Sequence, residues 1–203
     1  MITALIDYGM GNLRSVSKAL EKVGIKPLIT CDAHVVSKAD AVVLPGVGAF
    51  KDAVQNLKKA RLFSAVIRHI EKGKPYLGIC LGLQLLFERS YEFGTEEGFG
   101  LLEGDVVLLP TTVKIPHIGW NQVWKKKDSL LFESIKDGDY FYFVHSYHVV
   151  PKRSEVIATL TDYGINFVSA VEYGNVFGVQ FHPEKSQKLG LKVLENFKKV
   201  VHG

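Results

Sequence analysis

Short apolar runs alternate with helical stripes through the first half of the chain. Residues 2–6 form a strand-like run, residues 13–23 carry a helical period that ends at Gly24, and residues 26–30 and 41–44 return to short apolar runs. Helical periodicity comes back over residues 51–59 and 62–72 and is closed by Gly73 and Pro75. Residues 76–79 then form a buried type of strand that leads directly into Cys80. This order predicts the start of an open α/β sheet.

The second half changes period. Alternating or β-rich segments fall at residues 101–109, 122–125, 140–145, 148–150, 155–161, 168–172 and 176–181, joined by short turn-rich pieces that suit antiparallel additions to the sheet. A last amphipathic helix, residues 189–200, places Leu191, Leu194, Phe197 and Val201 on one face. With no repeat, low-complexity tract or linker, residues 1–203 are expected to form one α/β domain. Its sheet should be open, mixed, mostly parallel and flanked by helices, with the antiparallel additions in the second half.

Composition narrows the function. Lys and Arg number 25 against 21 Asp and Glu, and the resulting +4 is scattered, so the chain lacks the basic footprint of a nucleic-acid binder. The compact run Lys125-Lys126-Lys127 reads as a solvated turn. No apolar stretch approaches the roughly 18 residues of a membrane span, and the N-terminus lacks a secretory pattern, so a cytoplasmic location is expected. Cys31 and Cys80 are the only cysteines, too few for a disulfide framework. Cys31 closes a short strand without flanking glycines and reads as structural.

Cys80 has a different setting. Gly78-Ile79-Cys80-Leu81-Gly82 lies where a strand should turn into a helix running through residues 83–89, the context of a nucleophile elbow. Glycines there allow close backbone packing, the helix N-terminus favours a thiolate, and the Leu81 amide would face a developing oxyanion. Taken alone, the motif is equally compatible with a buried small cysteine. Farther on, His182-Pro183-Glu184 follows a strand. It offers a general base and a carboxylate to orient it, on one side of an extended chain. Nucleophile, base and acid in this order make a Cys-His-Glu triad the preferred reading.

These residues resemble the class-I, or triad, glutamine amidotransferases: the elbow extends to Gly78-Ile79-Cys80-Leu81-Gly82-Leu83-Gln84, and His182-Pro183-Glu184 matches the base motif. Within that class the chain is similar to the branch of glutaminase subunits of imidazole glycerol phosphate synthases in histidine biosynthesis. Asp7-Tyr8-Gly9-Met10-Gly11-Asn12-Leu13, Leu44-Pro45-Gly46-Val47-Gly48-Ala49-Phe50, Pro116-His117-Ile118-Gly119-Trp120-Asn121 and His145-Ser146-Tyr147 carry that likeness across nearly the whole chain.

The resemblance implies a flavodoxin-like fold, Cys80 as nucleophile, His182 as base and acid, and Glu184 as its orienter. It also implies an oxyanion hole from the amides of Leu81 and Val47, the latter flanked by Gly46 and Gly48, and a glutamine site using Gln84, Ser146 and Tyr147. Asn12, His117, Ile118, Gly119, Trp120, Asn121, Tyr142 and Lys185 would lie at or near the interface with a (β/α)8-barrel cyclase that receives the ammonia in a heterodimer. No metal or organic cofactor is implied, because no spaced ligand motif occurs. Residues 91–98, rich in Glu and Gly, have no functional reading. A cysteine peptidase, a non-catalytic subunit of the same fold, and an amidotransferase serving pyridoxal phosphate or anthranilate synthesis are the alternatives.

Overall fold

The computed structural model describes all residues from Met1 to Gly203. Its first half runs β1 (Thr3–Ile6), α1 (Leu13–Lys22), β2 (Pro27–Thr30), α2 (Ala33–Lys38), β3 (Ala41–Gly46), α3 (Phe50–Lys59), α4 (Leu62–Glu71) and β4 (Tyr76–Cys80). The second half continues with α5 (Leu81–Gln84), β5 (Phe87–Ser90), β6 (Glu96–Glu97), β7 (Leu102–Leu108), β8 (His117–Lys125), β9 (Asp139–His145), β10 (Tyr147–Pro151), β11 (Ile157–Asp162), β12 (Asn166–Tyr173), β13 (Val176–Val179) and α6 (Gln187–His202).

The strands join in one mixed sheet, with the main path β2-β1-β3-β4-β13-β12-β10-β7-β5-β6 and with β11, β8 and β9 branching from β12. The segment from β2 to β13 is parallel, and antiparallel pairing begins where β12 joins β13. Helices cover both faces of the parallel part, which explains why β1, β3 and β4 are buried throughout rather than alternating. Along β1, Ala4 and Ile6 pack into one hydrophobic cluster with Val54, Leu57 and Val66 of α3 and α4. Leu5 joins the opposite cluster with Val16, Leu20, Leu194 and Phe197 of α1 and α6.

Three local expectations change, for residues 83–89, Cys31 and Lys127, and one helix, α2, is added. The helix expected over residues 83–89 stops after a single turn at Gln84. The carbonyls of Leu85 and Leu86 instead accept the backbone N–H groups of Phe99 and Leu101 at 2.7 and 3.0 Å, and Phe87–Ser90 becomes a strand beside β7. Helix α2 had no clear stripe; Asp32 starts it by accepting the His34 N–H at 2.8 Å. Cys31, read as structural, is exposed at the end of the edge strand β2. Lys127, read as solvated, donates to the carbonyls of Glu155 and Glu172 at 2.6 and 2.7 Å.

Candidate active site

Strand β4 delivers Cys80 at the C-terminal edge of the parallel strands, where α/β folds place their sites. Cys80 has φ 55° and ψ −105°, a conformation that few non-glycine residues adopt. The elbow glycines are there for space. A Cβ on Gly78 would strike the Gly82 carbonyl, and one on Gly82 would strike the Leu44 carbonyl of the neighbouring strand. Register does the rest, because Gly46 pairs with Cys80 and carries the Val47-Gly48 turn to the rim beside the thiol. A Cβ on Gly46 would collide with the buried Tyr8 hydroxyl, so this position too needs glycine.

The base comes from the other neighbour of β4. Strand β13 pairs with it in parallel, Val179 beside Ile79, and its continuation brings Gln180 and then His182 to the level of Cys80. His182 Nδ1 donates to Glu184 Oε1 at 2.8 Å, and both side chains are 3% exposed. The carboxylate reaches the ring through a 3-10 turn at Pro183–Lys185, not through the extended run expected from the sequence. Ser186 holds that turn: its hydroxyl donates to the His182 carbonyl at 2.7 Å and accepts the Tyr142 N–H at 3.0 Å.

With Nδ1 committed to Glu184, the buried Nε2 is left to Cys80, which favours the charged ring first as a hydrogen-bond acceptor and then through its charge. Burial by itself pushes the His182 pKa down. The interactions with Cys80 and Glu184 outweigh burial and lift it to about 10, so His182 is held as an imidazolium beside the sulfur.

A cavity of about 280 Å³ opens over Cys80, at the small end of metabolite sites. Val47, Gly48, Leu81, Gln84, Ser146 and Tyr147, all singled out in the sequence, line it together with Cys80. Gly46 lies beneath this wall rather than in it. The amide group of Gln84 is already engaged, donating to the Tyr147 carbonyl at 3.0 Å and to Gln180 Oε1 at 3.2 Å, which leaves its own Oε1 as the group free to meet a ligand.

Sequence reasoning missed Glu92 and His145 in the same wall. Glu92 comes from the stretch that had no reading, and its Oε2 accepts the Phe50 N–H at 2.7 Å at the start of α3. No periodicity or motif marks it; the turn after β5 brings it there. His145 stood inside a recognised motif, but only its neighbours Ser146 and Tyr147 had been given a role.

The antiparallel pair β8–β9 forms an aromatic face beside the cavity. Ile118, Trp120 and Trp124 project from β8 and are 59%, 46% and 48% exposed. Trp120 stands edge-on to Tyr142 with ring centroids 5.9 Å apart, and the Lys185 ammonium lies 5.7 Å from the Tyr142 ring centre. Gly119 takes φ +135° between these exposed residues, and Asn12 is exposed as the N-cap of α1. His117, expected at or near the partner interface, lies under this face rather than on it. It alternates to the inner side of β8, is 3% exposed, and stacks on Tyr163 at 3.9 Å. Asn121 also turns inward, donating to the Asp162 carbonyl at 2.9 Å.

The family model for class-I glutamine amidotransferases matches residues 4–200. The imidazole glycerol phosphate synthase subunit HisH of Aquifex aeolicus (strain VF5) is 64% identical over 98% of this chain and 97% of that protein. The subunit of the same name from Caldanaerobacter subterraneus subsp. tengcongensis is 52% identical over 97% of each. The structure of PurLQS from Thermotoga maritima matches 98% of this chain and 96% of that one with a TM-score of 0.73 and 20% identity, a likeness of fold alone. The chain therefore belongs to the class-I glutamine amidotransferases and, among them, to the family of imidazole glycerol phosphate synthase HisH subunits. No helix is long and apolar enough to cross a membrane.

Proposed function

We propose that this chain, acting as one domain in the cytoplasm, is the glutaminase subunit of an imidazole glycerol phosphate synthase. It hydrolyses L-glutamine to glutamate and ammonia and passes the ammonia to a separate (β/α)8-barrel cyclase in a heterodimer. That cyclase forms imidazole glycerol phosphate and an aminoimidazole carboxamide ribotide. The observation that carries the reading is the buried His182–Glu184 pair, 2.8 Å apart, held beside a strained elbow cysteine that floors a small cavity. A single sheet running from β1 through β13 supports the one-domain reading.

In this mechanism the Cys80 thiolate attacks the side-chain carbonyl carbon of glutamine, and the oxygen takes the negative charge. Leu81, first residue of α5, has a backbone N–H without a partner inside its helix and donates to that oxygen; the Val47 N–H is the second donor. His182 gives its proton to the leaving nitrogen, ammonia departs, and a glutamyl thioester remains. Neutral His182 then takes a proton from water, whose oxygen attacks the thioester and releases glutamate and the thiolate. Ser146, Tyr147 and the free Oε1 of Gln84 hold the amino-acid end of the substrate.

Val47 stands 43% exposed at the rim, between Gly46 and a Gly48 with φ +108°. Glycines on both sides allow its peptide to rotate, and docking of the cyclase on Ile118, Trp120, Tyr142 and Lys185 biases that rotation toward the oxyanion. Asn12 and Gly119 belong to the same contact region.

The test is ammonia release from glutamine by the chain alone, with the cyclase, and with the cyclase plus its nucleotide ligand, each beside Cys80→Ala. Release that requires Cys80 and rises with the complete pair is expected. Activity indifferent to the cyclase would remove the partner, and no release under any condition would remove the glutaminase.

A further inference from the structure

The mechanism needs a thiolate, yet the helix that follows Cys80 is a single turn, too short for much of a dipole. Besides His182, two groups make directed contacts with the sulfur. The Val144 carbonyl lies 3.7 Å from Sγ and can only accept, so it favours the protonated thiol. The Gln180 side chain approaches at 3.5 Å through Nε2 and is fully buried. An amide N–H donated to sulfur favours the thiolate.

The orientation of Gln180 follows from a chain of fixed partners. The Tyr147 carbonyl can only accept, so Gln84 must face it with its Nε2. The same nitrogen then donates to Gln180 Oε1, which turns Gln180 Nε2 toward the sulfur. Flipping the Gln180 amide would set two donors against each other at Gln84 and an oxygen against the thiolate. His145 Nδ1 also donates to the Tyr147 carbonyl at 2.9 Å, occupying its second lone pair.

We propose that Gln180 is a further catalytic residue, donating to Cys80 Sγ to stabilise the thiolate, and that Gln84 is the positioning residue that locks its amide. The proposal rests on the reading of Cys80 as nucleophile. The other titratable groups around the sulfur are His182, the buried Tyr8 hydroxyl, and His145, Tyr147 and Glu92 across the cavity. All five remain in the variants below.

The experiment follows the rate of alkylation of Cys80 by iodoacetamide against pH, in the complex with the cyclase. A Cys31→Ser background removes the exposed second thiol of this chain, and mass spectrometry reads Cys80 itself. Gln180→Met, similar in length but without the N–H, is expected to raise the pH midpoint of alkylation by about one unit and to slow alkylation near neutrality by about tenfold. Gln84→Met should shift it in the same direction by less, and it answers the question should Gln180→Met fail to fold.

A folded Gln180→Met protein with an unchanged midpoint overturns the proposal and leaves the nucleophile reading intact. If Gln180→Met does not fold, an unchanged midpoint in Gln84→Met overturns it equally. Full glutaminase activity of Cys80→Ala in the complex with the cyclase would sink the nucleophile reading itself.

Discussion

His145 Nε2 accepts a hydrogen bond from His117 Nδ1 at 3.0 Å, so a residue in the cavity wall is bonded to one on the inner side of the aromatic face. The direction is unambiguous. His145 Nδ1 faces the Tyr147 carbonyl and must carry the proton there, which leaves Nε2 as acceptor and makes His117 the donor. On the far side, His117 Nε2 accepts from Asn121 Nδ2 at 3.3 Å. Burial lowers the His117 pKa to about 4 and the His145 pKa to about 3, so both rings are neutral at pH 7.

His117→Phe keeps an aromatic ring against Phe143 and Tyr163 but leaves His145 Nε2 buried without a donor. Such a loss costs about 1–3 kcal/mol. Urea denaturation should show it, and a midpoint equal to that of the parent would mean that the pair adds nothing to stability.

The same pair makes the protein acid-sensitive. Both histidines have folded pKa values below their ordinary 6.5, so their contribution is complete above pH 6.5 and is lost as pH falls through about 4 for His117 and about 3 for His145. Denaturation midpoints at pH 7, 5.5 and 4.5 should fall in that order. His117→Phe, with one titrating ring fewer, should flatten the slope.

Gly82→Ala places a Cβ on the Leu44 carbonyl, a backbone atom of the adjacent strand that cannot move aside. A destabilisation of about 3 kcal/mol with loss of glutaminase activity is expected. Gly73→Ala, whose Cβ would meet nothing within 4 Å, serves as control for a surface glycine at positive φ (+72°), where strain alone acts. Circular dichroism melts of the two variants separate crowding from strain.

Cys80 holds φ 55° against the preference of a side chain. Cys80→Gly relieves this and should be more stable than Cys80→Ala by about 1 kcal/mol, with both inactive. Equal stability would show that the elbow stores no strain.

Trp120 is 46% exposed and packs on Tyr142 outside the core. Trp120→Ala should leave the melting temperature of the isolated chain nearly unchanged while weakening the complex with the cyclase by about 2 kcal/mol, or roughly thirtyfold in Kd. Titration calorimetry measures it, and unchanged affinity would move the docking face elsewhere.

The parallel half of the fold was legible because its inner strands β1, β3 and β4 are buried on both faces, and their apolar runs stand out between helices such as α1 and α3 with clear stripes. The elbow and the His182-Pro183-Glu184 segment were legible because their chemistry is concentrated in a few adjacent residues. Residues 83–89 misled because Leu83, Leu85 and Leu86 suit a helix as well as a strand edge, and the choice was made by backbone N–H groups from residues 99–102. The inward placement of His117 was not legible, because a polar residue within an exposed-looking motif gives no sign of which side of its strand it occupies.

What the sequence determined by itself is the set of local rules: which runs are buried, where glycine must permit close approach, and which three residues make a nucleophile, base and orienter. What the tertiary structure decided is everything that depends on neighbours far apart in the chain. Strand register set Gly46 beside Cys80, the pairing of β13 with β4 brought Gln180 to the sulfur, and a turn after β5 put Glu92 in the cavity. The reason is that hydrogen-bond direction and register belong to pairs of segments, and neither segment encodes them alone.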